Sequence, residues 1–307
     1  MKKNPLILIF LATAALGFAS LFLSSSALLS PETRDAQTVL AAPLAEDSSP
    51  APAKKWQPLF RGVDYAAAES SVPGPLRIHV VRVDLTAPGI EFIVTPSNGD
   101  RPLDTDGLKT STFLKNQKCQ VAINASPFDP VQTAEGEPKD ILGLSVSRGE
   151  EYSPGAGQFG ALLISKDNKA RIARPPFDLS EVQNAVGGFS VVLEHGRNVG
   201  NDDTPHPRTA VGISEDGRYL YMLVIDGRQK GYSEGVTTAE TAEWLKKFGA
   251  WDGLNLDGGG SSALVISDGK GGARALNRPI DLGIPGQERV NGNSLGVYAK
   301  PLPAKQK

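Results

Sequence analysis

Gly253-Leu254-Asn255-Leu256-Asp257-Gly258-Gly259-Gly260-Ser261-Ser262-Ala263-Leu264-Val265 is the stretch on which the fold turns. An apolar run ends in a carboxylate, three glycines strip the next turn of side chains, two hydroxyls follow, and an apolar run resumes. The order reads as strand, functional turn, strand. Consecutive glycines raise the chain entropy that folding must overcome, so they imply positive φ or a bulky group close to the backbone. The simpler alternative is a tight hairpin, for which Gly-Gly is a common signal.

The residues just before this stretch predict a helix. Thr237-Thr238-Ala239-Glu240 has capping-box spacing, Ala242, Trp244, Leu245 and Phe248 supply an apolar face, and Gly249 fits the C′ position. Glu240 is then either a cap or a carboxylate at the positive end of a helix facing a site. Helix and Asp257 turn are expected to be neighbours. Further back, Tyr219–Ile225 reads as a strand ending in Asp226-Gly227-Arg228, and Arg208 opens another strand after Pro205-His206-Pro207. A guanidinium on so rigid an entry suits bidentate capture of phosphate or carboxylate, although a surface arginine is the plainer reading. Val121-Ala122-Ile123 leads into Asn124-Ala125-Ser126-Pro127-Phe128-Asp129-Pro130, which is either a binding loop or an Asx-type turn.

Elsewhere Leu76–Leu85 alternates at period two, and Ile90–Val94, Leu144–Val146, Ala161–Ile164, Ala185–Leu193 and Ser294–Tyr298 read as further strands. Thr105–Lys118 contains a short helix. His79 falls in a strand, where it faces solvent or a polar partner, and His195 sits in an exposed turn. The lone Cys119 reads as a buried strand thiol and can form no intrachain disulfide.

The 307 residues are 40% hydrophobic, enough for a sizeable core, while 33 Gly and 23 Pro argue for strands outnumbering helices. A net charge of −2 with scattered lysines and arginines offers no field for nucleic acid. Lys2 and Lys3 precede an apolar run from Leu6 to Leu23 and a small-residue tail, so residues 1–29 read as a signal peptide or membrane anchor, the tail favouring cleavage. Export follows: secreted, periplasmic or membrane-anchored. Residues 30–55 form a Pro/Ala/Ser-rich linker that cannot fold alone, leaving 56–307 as the folded domain.

A serine-nucleophile elbow requires a helix after Ser261, but Ala263–Ser267 reads as a strand; a Walker loop lacks its lysine. One Cys and three dispersed His exclude a His/Cys metal cluster. No cofactor is required by the sequence, and an oxygen-ligand site for a divalent cation such as calcium stays open. What converges is a set of carboxylates (Asp226, Glu240, Asp257), arginines (Arg208, Arg228) and a glycine backbone whose N–H groups could form an anion nest. A glycosyl phosphodiester would use both acid/base and anion-binding groups.

In these same residues the chain resembles the phosphodiester glycosidase family: Arg208-Thr209-Ala210-Val211-Gly212, Leu223–Arg228, Gly235-Val236-Thr237 with Glu240, and Leu254–Ser262. Asn124 with Phe128 is similar to the family's Asn-Gly-Gly-Phe-Phe motif, from which Ala125-Ser126-Pro127 depart, and Asn293 with Leu295-Gly296-Val297 to its closing strand. The resemblance, over roughly residues 75 to 300, implies an α+β single domain, rich in mixed or antiparallel sheet with a few packed helices. It implies hydrolysis of a sugar-1-phosphodiester or related envelope glycan on the glycosidic side of the phosphate. Asp257 and Glu240 are the leading acid/base candidates and Asp226 the third. Arg208 and Arg228 would hold the phosphodiester, with Thr209, Asn124, Thr237, Asn293, Gly258, Gly259 and Ser261 as binding partners. A glycan-binding or envelope-assembly module on the same fold, without turnover, is the alternative.

Overall fold

Alternation along Leu76–Asp84 decides what each face of the main sheet meets. A computed structural model describes residues 55–72, 74–155, 157 and 159–303. The N-terminal segment 1–29 and all but the last residue of the proposed linker lie outside the described residues. The unit from Ser49 to Lys307 is an α+β body of several antiparallel sheets with a short helix, Thr110–Gln117 (α1), and a longer one, Thr238–Phe248 (α2).

The largest sheet runs in the order Gln57–Phe60, Val63–Ser70, Leu76–Asp84, Tyr219–Ile225, Arg208–Ile213, Asp252–Asn255, Ser190–Glu194, Arg197–Asn198. Ile78 and Val80 pack with Ala242, Trp244 and Leu245 of α2, whereas Val81 and Val83 join Val121, Ile123, Leu264, Leu295 and Val297 between the sheets. Even and odd positions therefore face opposite layers, as a pleated strand requires. Each fully buried aliphatic side chain here contributes about 1.5–3 kcal/mol. Arg208–Ile213 divides in the same way: Ala210 turns to α2, and Thr209 and Val211 to the space between sheets.

The second layer is a five-stranded sheet in the order Ala273–Ala275, Leu264–Ser267, Val121–Asn124, Ser294–Tyr298, Glu91–Val94, backed by α1 through Phe113 and Leu114. Another five-stranded sheet and a three-stranded one complete the body. Asp252–Asn255 pairs with Arg208–Ile213 in the first layer, and Leu264–Ser267 pairs with Val121–Asn124 in the second. The glycine stretch is thus a crossover between sheets and not a hairpin. It draws the ends of Val121–Asn124, Arg208–Ile213 and Asp252–Asn255 to one place.

α2 begins as its capping box predicts: Glu240 N–H donates to Thr237 Oγ1 at 3.1 Å, and Thr237 N–H to Glu240 Oε2 at 2.8 Å. Gly249 closes it with φ 111°. Cys119 is buried and its thiol is pushed up to about 12 by burial, which leaves it inert. His79 meets a polar partner, its Nδ1 lying 2.8 Å from the Tyr65 hydroxyl. Among the described residues no helix is long and apolar enough to cross a membrane.

Candidate active site

The glycines after Asp257 make room for two arginines. Gly259 has φ +63°, and a Cβ there would stand 3.0 Å from Arg228 Nη1. A Cβ on Gly260 would run into the Arg289 guanidinium and stand 2.6 Å from Asp281 Oδ1. Gly259–Ser261 forms one 3-10 turn. Within it the Gly259 N–H donates to Pro207 O at 2.8 Å and the Ser261 N–H to Gly258 O at 3.1 Å. Two of the N–H groups expected to face an anion are therefore engaged inside the protein, and the charged groups that the glycines admit beside the turn are guanidinium groups.

Asn124 ties this turn to both sheets. It is fully buried; its Nδ2 donates to the Asp257 carbonyl at 2.7 Å, and its Oδ1 accepts from Thr209 Oγ1 at 2.8 Å and from the Ala263 N–H at 3.1 Å. Ser262 Oγ lies 3.2 Å from Thr209 Oγ1; since the threonine proton is directed to Asn124, the serine is the donor of that pair. Asp257 itself is fixed from a second side by its N–H, which donates to Ala125 O at 2.9 Å.

These ends open on a cavity of about 450 Å³ whose wall includes Asp257, Arg208, Arg228, Arg289, His206 and Phe189. Burial raises the Asp257 carboxyl to about 6, against the opposing influence of the Ser261 hydroxyl, Arg289, the Gly258 N–H and Arg228. The carboxyl is crowded by protein while the residue keeps contact with the cavity. Arg228 is pulled below the ordinary arginine value by burial first and then by the neighbouring charges of Arg289 and Arg208, with Asp257 opposing. Arg208 is held by Val236 O at 3.0 Å, Thr204 O at 2.6 Å and the Asp202 carboxylate at 2.9 Å. Arg289 is oriented by Asp281 Oδ1 at 2.8 Å and reaches Ser261 Oγ at 3.3 Å. Phe189, 44% exposed, offers an apolar wall and meets Phe159 edge to face at 5.7 Å.

The other sequence-predicted residues lie around the cavity without facing it. Glu240 and Thr237 complete the α2 cap. Asp226 is buried behind the wall, its carboxylate accepting from Asn277 Nδ2 at 3.0 Å and the Arg278 N–H at 3.0 Å, with His79 Nε2 at 3.6 Å. Asn293 accepts the Ser126 N–H at 2.7 Å and donates to Ser145 Oγ at 3.0 Å, holding the strand exit that carries Asn124. Ser261 stands beside Asp257, and Thr209 acts through Asn124. Asp202, Arg289, His206 and Phe189 were not assigned roles from the sequence. His206 stood out in Pro205-His206-Pro207; the other three are marked only by what the fold sets beside them.

Glu240→Gln tests the cap against a chemical role. Glutamine can accept the same Thr237 N–H, so unfolding should shift by less than about 1 kcal/mol. With its carboxylate outside the cavity wall, any activity the cavity supports should stay within about threefold of wild type. A loss of a hundredfold or more at unchanged stability would place Glu240 in the chemistry.

A family model described as Phosphodiester glycosidase matches residues 117–298. No curated protein matches the sequence. Among solved structures, a hypothetical protein from Synechocystis superposes with a TM-score of 0.55 at 16% identity, over 80% of this chain and 64% of that one. The zebrafish N-acetylglucosamine-1-phosphodiester alpha-N-acetylglucosaminidase catalytic domain, auto-inhibited by its pro-peptide, gives 0.57 at 20% identity, over 80% and 85%. A Burkholderia pseudomallei protein gives 0.56 at 15% identity, over 73% and 74%. At these identities the likeness is one of fold.

Proposed function

Because the chain belongs to the phosphodiester glycosidase family, we propose that its cavity binds a glycosyl phosphodiester and hydrolyses the bond between the sugar carbon and the phosphate oxygen. The observation that carries this reading is a carboxyl poised near pH 6 on the same wall as three arginines. The arginines suit a phosphodiester, whose single negative charge becomes nearly two as the sugar–oxygen bond breaks. Phosphate leaves readily and needs little help from an acid. The harder task is activating water, so Asp257 is assigned as the base, with Ser261 and the Gly258 N–H orienting its carboxylate. Phe189 gives a sugar ring an apolar face to lie on.

The zebrafish enzyme is named for an N-acetylglucosamine phosphodiester, and a related substrate class is proposed here, together with export of the 56–307 domain on the strength of the N-terminal sequence. Among the described residues no group of three His, Cys, Asp or Glu side chains could hold a metal ion. Calcium dependence, proposed from the sequence as an open option, is read by adding chelator. Purified protein given a panel of sugar-1-phosphodiesters in ¹⁸O-water should release sugar carrying the label, with phosphate unlabelled. Label in the phosphate would mean attack at phosphorus. Binding of a glycan without product would favour the assembly module.

A further inference from the structure

His206 is the cavity group whose chemistry this reading leaves unused. Its backbone is fixed on both sides: Pro205 and Pro207 flank it, and it exchanges two backbone hydrogen bonds with Val236, at 3.1 and 3.0 Å. Gly235 permits that contact, since a Cβ there would stand 2.7 Å from the His206 carbonyl carbon. The ring is fixed as well. Its Nδ1 lies 3.2 Å from Arg228 Nη2. A guanidinium can only donate, so Nδ1 must be the unprotonated acceptor, and the proton of the neutral ring must sit on Nε2. Turning the ring over would set a C–H against the arginine and lose the bond, which fixes the orientation too. Arg228 is itself held in a left-handed backbone conformation with φ 57°, an uncommon state for a non-glycine residue, and its guanidinium is seated against Gly259.

We propose that His206 is a neutral hydrogen-bond donor to the phosphoryl oxygens of the substrate, its Nε2–H presented to the cavity because Arg228 occupies Nδ1. This rests on the phosphodiester reading of the cavity and extends it to a fourth donor. The logic is electrostatic. Three guanidinium groups already face the cavity, and a fourth positive charge would repel them; an imidazole kept neutral adds a donor without adding charge. Burial, and then the charges of Arg228 and Arg208, hold the ring's pKa below that of an ordinary histidine, with Asp202 acting in the opposite direction. Arg289 and Asp257 bear on Arg228, the ring's hydrogen-bond partner. Arg228 is then both a phosphate ligand and the positioning residue for His206.

Nitrogen-15 spectra of the imidazoles test this on the intact chain, which has three histidines, His79, His195 and His206. The signals lost in His206→Gln identify the ring. At pH 7 they should show the neutral Nε2–H tautomer, and Arg228→Ala should restore a tautomer mixture and raise the titration midpoint. Dimethyl phosphate, a minimal phosphodiester, should shift the Nε2–H signal. Its affinity should fall about tenfold or more in His206→Ala, as loss of a hydrogen bond to a charged group predicts. Glutamine can place a donor near the same point, so His206→Gln should stay within about threefold. A proton on Nδ1, or a probe that moves the Gly259 amide and the Arg289 side chain while leaving His206 still, would overturn the role of His206 and leave the anion site standing. If no cavity group responds to dimethyl phosphate, the phosphodiester reading and this inference fall together.

Discussion

Asp257→Asn should lower kcat/KM for a sugar-1-phosphodiester by about 10²–10⁴-fold, the range that a positioned acid or base contributes, and should make the protein more stable at neutral pH. Asparagine preserves the size of the side chain and can still meet the Ser261 hydroxyl, so the turn should hold its shape. It cannot accept a proton from water. The wild-type profile of kcat/KM should rise through pH about 6 as the buried carboxyl ionises, and the variant should lack that limb. The stability effect follows from the same shift. The folded pKa of about 6 lies above the unfolded value, about 3.9, so the native state binds this proton more tightly. The resulting stabilisation is complete below about pH 3.9 and is lost as pH rises through about 6. Above that the wild type holds a buried charge that the variant lacks. Allowing for solvent screening from the cavity side, the gain in the variant at pH 7.5 should be on the order of 1–2 kcal/mol, vanishing in acid. Unfolding curves at pH 4 and 7.5 check it. A variant that retains turnover, or one destabilised at both pH values, would remove Asp257 from the role of base.

Such a trade between stability and chemistry was only half visible in the sequence. The cap Thr237 and Glu240, the C′ glycine at 249 and the period-two strand Leu76–Asp84 were legible because each is specified by residues adjacent in the chain. The excess of glycine at 258–260 was legible as an anomaly, but its cause was not. Arg228 and Arg289 lie about thirty residues away on either side, and only the crossover between sheets brings them against the turn. The same holds for the carboxylates. Asp226, Glu240 and Asp257 all stand at ends of strands or helices, yet Asp226 is taken up by Asn277 and Arg278, Glu240 by its own cap, and Asp257 alone of the three faces the cavity. Sequence motifs mark where polar groups cluster; which of them is already satisfied by a backbone N–H depends on long-range packing. Asp202 shows the converse, an unremarked residue that acquires a role because Arg208 points at it.

Asn124→Ala should be the most destabilising of the site substitutions, by about 3–5 kcal/mol, because it strands several buried groups at once. The Asp257 carbonyl, part-buried at the cavity, loses its Nδ2 donor, and the Ala263 N–H and Thr209 hydroxyl, both buried, lose their shared acceptor. In a domain of this size the melting temperature should drop by roughly 10 °C. Activity should fall as well, since Asn124, together with the Ala125 carbonyl, holds the Asp257 backbone to the second sheet. Asn124→Asp separates the two ends of the amide. It retains the acceptor for Ala263 and Thr209 but turns an ionised oxygen toward the Asp257 carbonyl, a buried repulsion in place of a 2.7 Å hydrogen bond. It should therefore be nearly as unstable as the alanine variant at pH 7.5 and should recover in acid, where a protonated carboxyl can donate to that carbonyl. Thr209→Val is the control for the outer partner: it removes one hydroxyl from the chain of Asn124, Thr209 and Ser262 and should cost about 1–2 kcal/mol. If Asn124→Ala and Thr209→Val proved equally mild, the amide would not be what joins the two sheets at Asp257. The turn would then owe its shape to Pro207, Arg228 and Arg289, the groups packed against its glycines.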